Sequence, residues 1–438
     1  MPDEVGELSD RAGRGTTLAR LTIASAALLL APAASARAGD MALVEVGVVD
    51  IAAGRLEARQ TVLVADGSIA AVGPTGEVTL PSAIERVDGR GRYLVPGFWD
   101  MHVHALWSDE AADSFLPLFL EHGVLGVRDL GGSLDVIEQV RRRVETGVLR
   151  APHLYAAGPI LDGPDPTHPE VSWALTTREE GRQAVERLHA AGVDLVKVYT
   201  QLPRDAFLGV AERARFFGLP LVGHLPGEIE VEEAIDAGMR TIEHLRAELG
   251  GFCEPDEPRA CERAFALMRR AGVWQVPTLL ARQVRAARRS DRAALERWSP
   301  RLPSAVVAEW RAAAEISRRE RRRRRQLFEG ELWMASQAAR SKVGFLVGSD
   351  TGNPFVVPGA SLHEEMELLV TAGWSEAEVL RAATLDAARH LGIVRTAGSI
   401  AVGKRADLVL LAENPLEDIR HTRTIERVFL AGDEVVGR

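Results

Sequence analysis

From residue 95 onward, short apolar runs alternate with stretches whose apolar positions recur at helical spacing. That alternation is the signature of parallel βα units. Eight runs read as strands: Val95–Val103, Val124–Asp129, Leu154–Ala157, Leu195–Tyr199, Leu219–His224, Thr241–His244, Val273–Pro277 and Gly344–Ser349. Helical patterns such as Thr177–Ala191, Asp205–Phe217 and Val231–Ala237 separate them. Eight strands with intervening helices is the count of a (β/α)8 TIM barrel, an α/β fold. The flanks read differently. Val44–Val49, Thr61–Val64, Ser68–Val72 and Tyr93–Val95 are strand-like and separated by Gly turns; Asp407–Leu411 and Arg427–Leu430, with a turn at Ala431–Asp433, look alike. Two β-rich ends around one long middle predict that residues 41–94 and 395–438 pack as a single small β-sandwich lobe beside a barrel at 95–394.

One interval breaks the rhythm. Residues 281–340 separate strands seven and eight and read as extended charged helices. Within them Ser317–Gln326 carries Arg at 318, 319 and 321–325. A net charge of −9 over 438 residues argues against nucleic acid as partner, so the run is read as a solvated helical face. The composition, 46% hydrophobic and 26% charged, excludes a disordered or collagenous chain. No apolar run reaches the roughly 20 residues of a membrane span.

The first 38 residues read as a signal peptide. Arg11, Arg14 and Arg20 precede the apolar stretch Leu21–Leu30, and Ala34-Ser35-Ala36 and Ala36-Arg37-Ala38 both suit signal peptidase. Export to the periplasm or beyond is the expectation; the alternative is a cytoplasmic protein starting at Met41. Cys253 and Cys261, the only cysteines, close a short loop if the compartment is oxidising and are two thiols if it is not.

Candidate metal ligands fall at strand ends. His102 and His104 stand two apart on strand one, and residues i and i+2 of a strand share a face. His224 ends strand five, His244 ends strand six and Asp350 follows strand eight. Barrel enzymes gather functional residues at those C-terminal ends, so five N/O donors there point to a metal site. Lys197 adds to the set. Only three of the 53 basic residues are Lys, and this one lies inside the apolar strand Leu195–Tyr199. A buried amine tends to lose its proton, and a neutral amine reacts with carbon dioxide to give a carbamate able to bridge two ions. The alternative is a structural Lys paired with Asp350 or Asp129.

These residues carry a resemblance. Pro96-Gly97-Phe98-Trp99-Asp100-Met101-His102-Val103-His104, Lys197, His224, His244, Gly348-Ser349-Asp350-Thr351 and the closing segment Gly403–Leu411 resemble the amidohydrolase superfamily over nearly the whole chain after residue 41. Val127–Gly132 and Lys197-Val198-Tyr199 are most similar to its imidazolonepropionase-like subgroup, which contains Xaa-Pro dipeptidases. The resemblance implies two divalent ions: His102, His104 and Asp350 on the inner one, His224 and His244 on the outer, with a Lys197 carbamate and a hydroxide bridging them. Zinc is the default for such donors; manganese or iron also fits.

The expected reaction is hydrolysis of an amide-type C–N bond in a small molecule, a dipeptide such as Xaa-Pro or an N-acyl amino acid. Asp350 is the candidate general base and Tyr199 the candidate donor to the oxyanion. Arg128, ending strand two, is read either as a fork for a substrate carboxylate or as an ion pair. His363, opening a helix after strand eight, is read either as a substrate contact or as a helix cap. Lactone, ester or phosphotriester hydrolysis on the same site is the alternative chemistry, and a non-catalytic scaffold the alternative class. The sequence is silent on oligomeric state.

Overall fold

The computed structural model describes residues 40–245, 253, 258–286 and 290–437; the signal-peptide reading lies outside them. Among these described residues seventeen strands are numbered in chain order. β1 (Met41–Asp50), β2 (Arg55–Ala65), β3 (Ser68–Pro74), β4 (Glu85–Asp88) and β5 (Tyr93–Pro96) join β15 (Leu408–Leu411), β16 (Ile425–Leu430) and β17 (Asp433–Gly437) in one sheet. Its order is β17-β16-β15-β5-β1-β2-β3, with β4 beside β1. The two chain ends meet where Leu408 to Leu411 pair antiparallel with Pro96 to Tyr93. Leu43, Val46, Val62, Val64, Leu94, Leu408 and Phe429 form this lobe's own apolar core.

The long first strand read from sequence is two. Gly97 separates β5 from β6 (Phe98–Val103), and a Cβ at that position would stand 2.6 Å from the Leu125 side chain. The chain passes from lobe to barrel through the one residue that fits. Asp407 ties the two parts together, accepting from Nε2 of His153 and Nε of Arg405, both at 3.0 Å.

The barrel strands are β6, β7 (Val124–Asp129), β8 (His153–Ala156), β11 (Val196–Val198), β12 (Leu221–Gly223), β13 (Met239–Glu243), β14 (Trp274–Val276) and an eighth segment at 344–349. β6, β7, β11 and β12 are buried at every position, as strands covered on both faces must be. The eighth segment pairs irregularly: Leu346 N donates to Gln275 O, Met101 N to Val347 O and Asp350 N to His102 O. These bonds close the (β/α)8 barrel between β14 and β6. Helix starts are set locally; Thr177 and Glu180 form a reciprocal capping box on Arg178–Ala190.

Two short strands absent from the sequence reading, β9 (Ile160–Asp162) and β10 (Ser172–Ala174), extend the sheet beyond β11. The 281–340 interval is helical: Leu279–Ala286, Ser290–Trp298, Ser304–Ala314 and Arg318–Ser341. In the last of these Arg318, Arg319, Arg322, Arg323 and Arg325 are exposed, whereas Arg321 and Arg324 face inward at helical spacing. Cys253 and Cys261 are joined as a disulfide. Among the described residues no helix is long and apolar enough to cross a membrane.

Candidate metal centre

The C-terminal rim of the barrel gathers the candidate ligands. One donor atom each from His102, His104 and Asp350 lies within 4.8 Å of the others. Oδ1 of Asp350 stands 3.4 Å from Nε2 of His102 and 3.5 Å from Nε2 of His104. The imidazoles of His102 and His244 are 4.9 Å apart between centroids, and those of His224 and His244 4.7 Å. Lys197 is fully buried, and its charge acts on His102, His104, His224 and Asp350 alike. His104, His224, His244 and Asp350 line one cavity, and the buried His102 lies against Asp350 and His244 just behind it.

Backbone shape at the site is unusual. His244 has φ 67° and Asp350 φ 62°, left-handed values that non-Gly residues seldom adopt and that cluster at functional sites. Asp350 is held there by its neighbours: Ser349 donates its N–H to Oδ1 of Asp100 at 2.9 Å and its hydroxyl to Oδ2 at 2.5 Å. A Cβ at Gly348 would stand 2.8 Å from that of His102, so a glycine lets the eighth segment lie against β6.

The electrostatics suit ligation. Burial, reinforced by Lys197, holds His102 well below the usual imidazole range and His104 down to about 3. His224 and His244 are also held well below it, chiefly by burial. Burial thus favours the neutral form of all four rings, the state that binds metal. Nδ1–H of His102 donates to Oε2 of Glu243 at 2.8 Å, while its Nε2 is buried without a hydrogen-bond partner. A ring fixed in that tautomer presents a lone pair that needs a Lewis acid. Nδ1 of His224 pairs with Thr200 Oγ1 at 3.1 Å and Nδ1 of His244 with Thr278 Oγ1 at 2.6 Å. This set of neutral imidazoles and one carboxylate fits divalent ions. Asp350 is raised to about 6 by burial, against the opposing pull of Arg285, Arg282 and Lys197.

Two candidates lie elsewhere. Arg128 is fully buried and its guanidinium is engaged: Nη2 with Oε1 of Glu243 at 2.8 Å, Nε with the carbonyl of Met101 at 2.6 Å and Nη1 with Thr241 Oγ1 at 3.1 Å. Its fork serves Glu243 and is not open to a substrate carboxylate. His363 is inside helix Ala360–Ala372, whose N-cap is Gly359, so it is no cap. Its ring bonds Thr422 Oγ1 at 2.9 Å and the carbonyl of His122 at 3.0 Å, and it contributes nothing to the cavity.

Tyr199 does reach the cavity. Its ring lies 3.9 Å from that of His224 and its hydroxyl 3.4 Å from Nε2 of His168. His168, Trp107, Arg282, Arg285 and Asn353 line the same cavity and escaped the sequence reading as site residues. His168 arrives on the loop between β9 and β10, which Asp162 anchors by accepting the N–H groups of Gly163, Thr167 and Gln201. For the arginines a signal existed: three-residue spacing on a helix directly after strand seven.

A barrel that gathers His104, His224, His244 and Asp350 at one cavity, with His102 beside Asp350 and Lys197 buried on a neighbouring strand, has the donor set of a metal-dependent hydrolase. The chain belongs to the amidohydrolase family, whose pattern matches residues 93–435, and it is a hydrolase acting on C–N bonds. It is similar to the imidazolonepropionase of Acidiphilium cryptum, with 26% identity over 375 residues covering 81% of this chain and 87% of that protein. Among solved structures it resembles bottromycin amidohydrolase, with a TM-score of 0.73 and 28% identity over 90% of this chain and 87% of that one. A Xaa-Pro dipeptidase with methionine bound in its active site shares the fold at a TM-score of 0.71 and 20% identity, over 90% of this chain and 99% of that one.

Proposed function

We propose that this protein cleaves the amide bond of a dipeptide of the Xaa-Pro type or of an N-acyl amino acid. In this reading His102, His104 and Asp350 would hold one divalent ion, zinc by default, His224 and His244 would hold a second, and Lys197 would serve both as its carbamate. The observation that carries it is the orphaned Nε2 of His102, facing Asp350 at 3.4 Å beside His104 and His244. Bound ions supply a polarised carbonyl and an acidified water.

The chain's own residues do the rest. The buried Asp350 carboxylate takes the proton from the attacking water and returns it to the leaving nitrogen. The Tyr199 hydroxyl, at the cavity wall, donates to the developing oxyanion. Trp107 and His168, with rings 5.7 Å apart, cover one side of the cavity and restrict water. The N-terminal segment directs the protein to an exported location.

Screening metal-loaded protein against Xaa-Pro dipeptides, N-acyl amino acids, lactones and phosphotriesters tests the proposal. Turnover of one of the first two classes supports it. Turnover confined to lactones or phosphotriesters would overturn the amide reading.

A further inference from the structure

The metal cavity opens into a second, larger chamber of about 710 Å³. The two share Trp107, His168, Arg282, Arg285 and Asn353 in their walls. A volume of this size suits a drug-sized ligand. Its wall includes Ile316, between helices Ser304–Ala314 and Arg318–Ser341, Leu327 and Phe328 within the second of them, and Phe355. The interval that reads from sequence as an insertion of charged helices is therefore also the wall of the approach to the site.

The junction between the two spaces is cationic. Arg282 and Arg285 are three apart on helix Leu279–Ala286, and so share a face. That helix is pinned at its start, where Glu365 accepts the N–H groups of Leu279 and Leu280 at 2.9 and 2.7 Å. Arg285 donates to Oδ1 of Asn353, and its carbonyl accepts from Nη1 of Arg324 at 3.4 Å. Arg282 Nε stands 3.4 Å from Oε1 of Glu331. Among the described residues lining the inner cavity, Asp350 is the one acid. The acids of the outer chamber are Glu170, Glu309 and Glu320; Glu320 is engaged by Nε of Arg324 at 2.8 Å.

We propose that Arg285, with Arg282 beside it, is the receptor for a carboxylate on the amine side of the scissile bond. A bulky apolar acyl group then occupies the outer chamber against Ile316, Phe328 and Phe355. This rests on the amide reading above and narrows it: the substrate is an anionic N-acyl amino acid or dipeptide with a large apolar acyl part. It also moves the carboxylate contact from Arg128, which Glu243 occupies, to the helix after strand seven. Guanidinium matches carboxylate in a two-bond fork, and a site built for that charge rejects a neutral analogue.

The test compares N-(naphthoyl)-proline or a related N-aroyl amino acid with its carboxamide, on wild-type protein and on Arg285→Met and Arg285→Lys. The expected result is a wild-type preference of about 100-fold in kcat/KM for the carboxylate. Arg285→Met should abolish that preference through KM, Arg285→Lys should restore part of it, and metal content should not change. Calorimetric binding of the released amino acid should weaken in parallel in Arg285→Met. An equal loss on carboxylate and carboxamide, or a wild-type enzyme indifferent to the charge, would overturn the receptor. If no C–N substrate turns over at all, the amide reading has failed. The receptor is then judged separately, by whether wild-type protein binds the carboxylate and Arg285→Met does not.

Discussion

Oε2 of Glu243 lies 2.8 Å from Nδ1 of His102, and Oε1 of the same carboxylate lies 2.8 Å from Nη2 of Arg128. All three side chains are buried. The chain Arg128–Glu243–His102 sets the tautomer of the ring and aims its Nε2 at the metal centre. Such supporting carboxylates typically tune metal affinity 10- to 100-fold (roughly). Glu243→Gln should therefore lower affinity by that order in a chelator-competition assay with little loss of secondary structure. Unchanged affinity would show that the carboxylate does not position His102.

Arg128 makes a distinct energetic prediction. Removing it leaves Glu243 as an uncompensated buried charge, a change that typically costs about 3–5 kcal/mol. Arg128→Met should destabilise by that order in denaturant unfolding. The double variant Arg128→Met/Glu243→Gln should recover much of the loss, because both buried charges then disappear together. Additive losses would exclude the coupling.

The three lysines should behave differently. Lys342 sits at a helix end with φ 51° and pairs with Glu378 at 2.9 Å, while Lys404 donates to the Ala397 carbonyl and to Ser399 Oγ. Arg can replace an ammonium in such roles. Only an amine can form the proposed carbamate at Lys197. Lys197→Arg should lose bound metal and activity, measured by elemental analysis and turnover, whereas Lys342→Arg and Lys404→Arg should keep both. Full metal content in Lys197→Arg would rule the carbamate out.

Acid should release a stabilising contact at helix Glu376–Arg381. Burial raises the Glu378 carboxyl, but hydrogen bonds from Lys342 and Ser375 outweigh it and hold the group at about 2 against an ordinary 4.5. The folded protein then binds fewer protons here than the unfolded chain, so stability falls as pH drops from about 4.5 towards 2. Ser375 is the N-cap of that helix, in a capping box with Glu378. Ser375→Ala should cost about 1 kcal/mol at neutral pH and shrink the acid-dependent part of the unfolding curve. An unchanged pH profile would remove Glu378 from this role.

The exposed arginines of helix Arg318–Ser341 should be dispensable one at a time. Arg319→Gln, Arg322→Gln and Arg325→Gln should each shift stability by less than about 0.5 kcal/mol. Arg324 lines the chamber and bonds Glu320 and the Arg285 carbonyl, so Arg324→Gln should alter KM for bulky substrates. Equal effects from all four would show that the helix does not discriminate inward from outward positions.

Much of this molecule is local information. The alternation of β6 placed His102 and His104 on one side, and the apolar run around Lys197 announced a buried amine, because period and burial are carried by neighbouring residues. Eight βα repeats led to the barrel for the same reason. Gly97 shows the limit: the run Val95–Val103 looks continuous, and only the packing of Leu125 against it explains the break.

What the sequence could not decide was the partner of each charge. Arg128 ends a barrel strand and Arg285 stands near the end of the helix after strand seven. Folding sets Arg128 against Glu243, 115 residues away, and leaves Arg285 at the mouth of the cavity. His363 and His168 divide in the same way, the first packed against Thr422 and the second brought to Tyr199 by the β9–β10 loop. By itself the sequence determined the barrel and the strand-end placement of the donors, since both follow from short-range periodicity, and the resemblance those residues carry gave the class of chemistry. The tertiary structure alone decided which cations are spent on the protein and which face the cavity, because that depends on contacts between segments far apart in the chain.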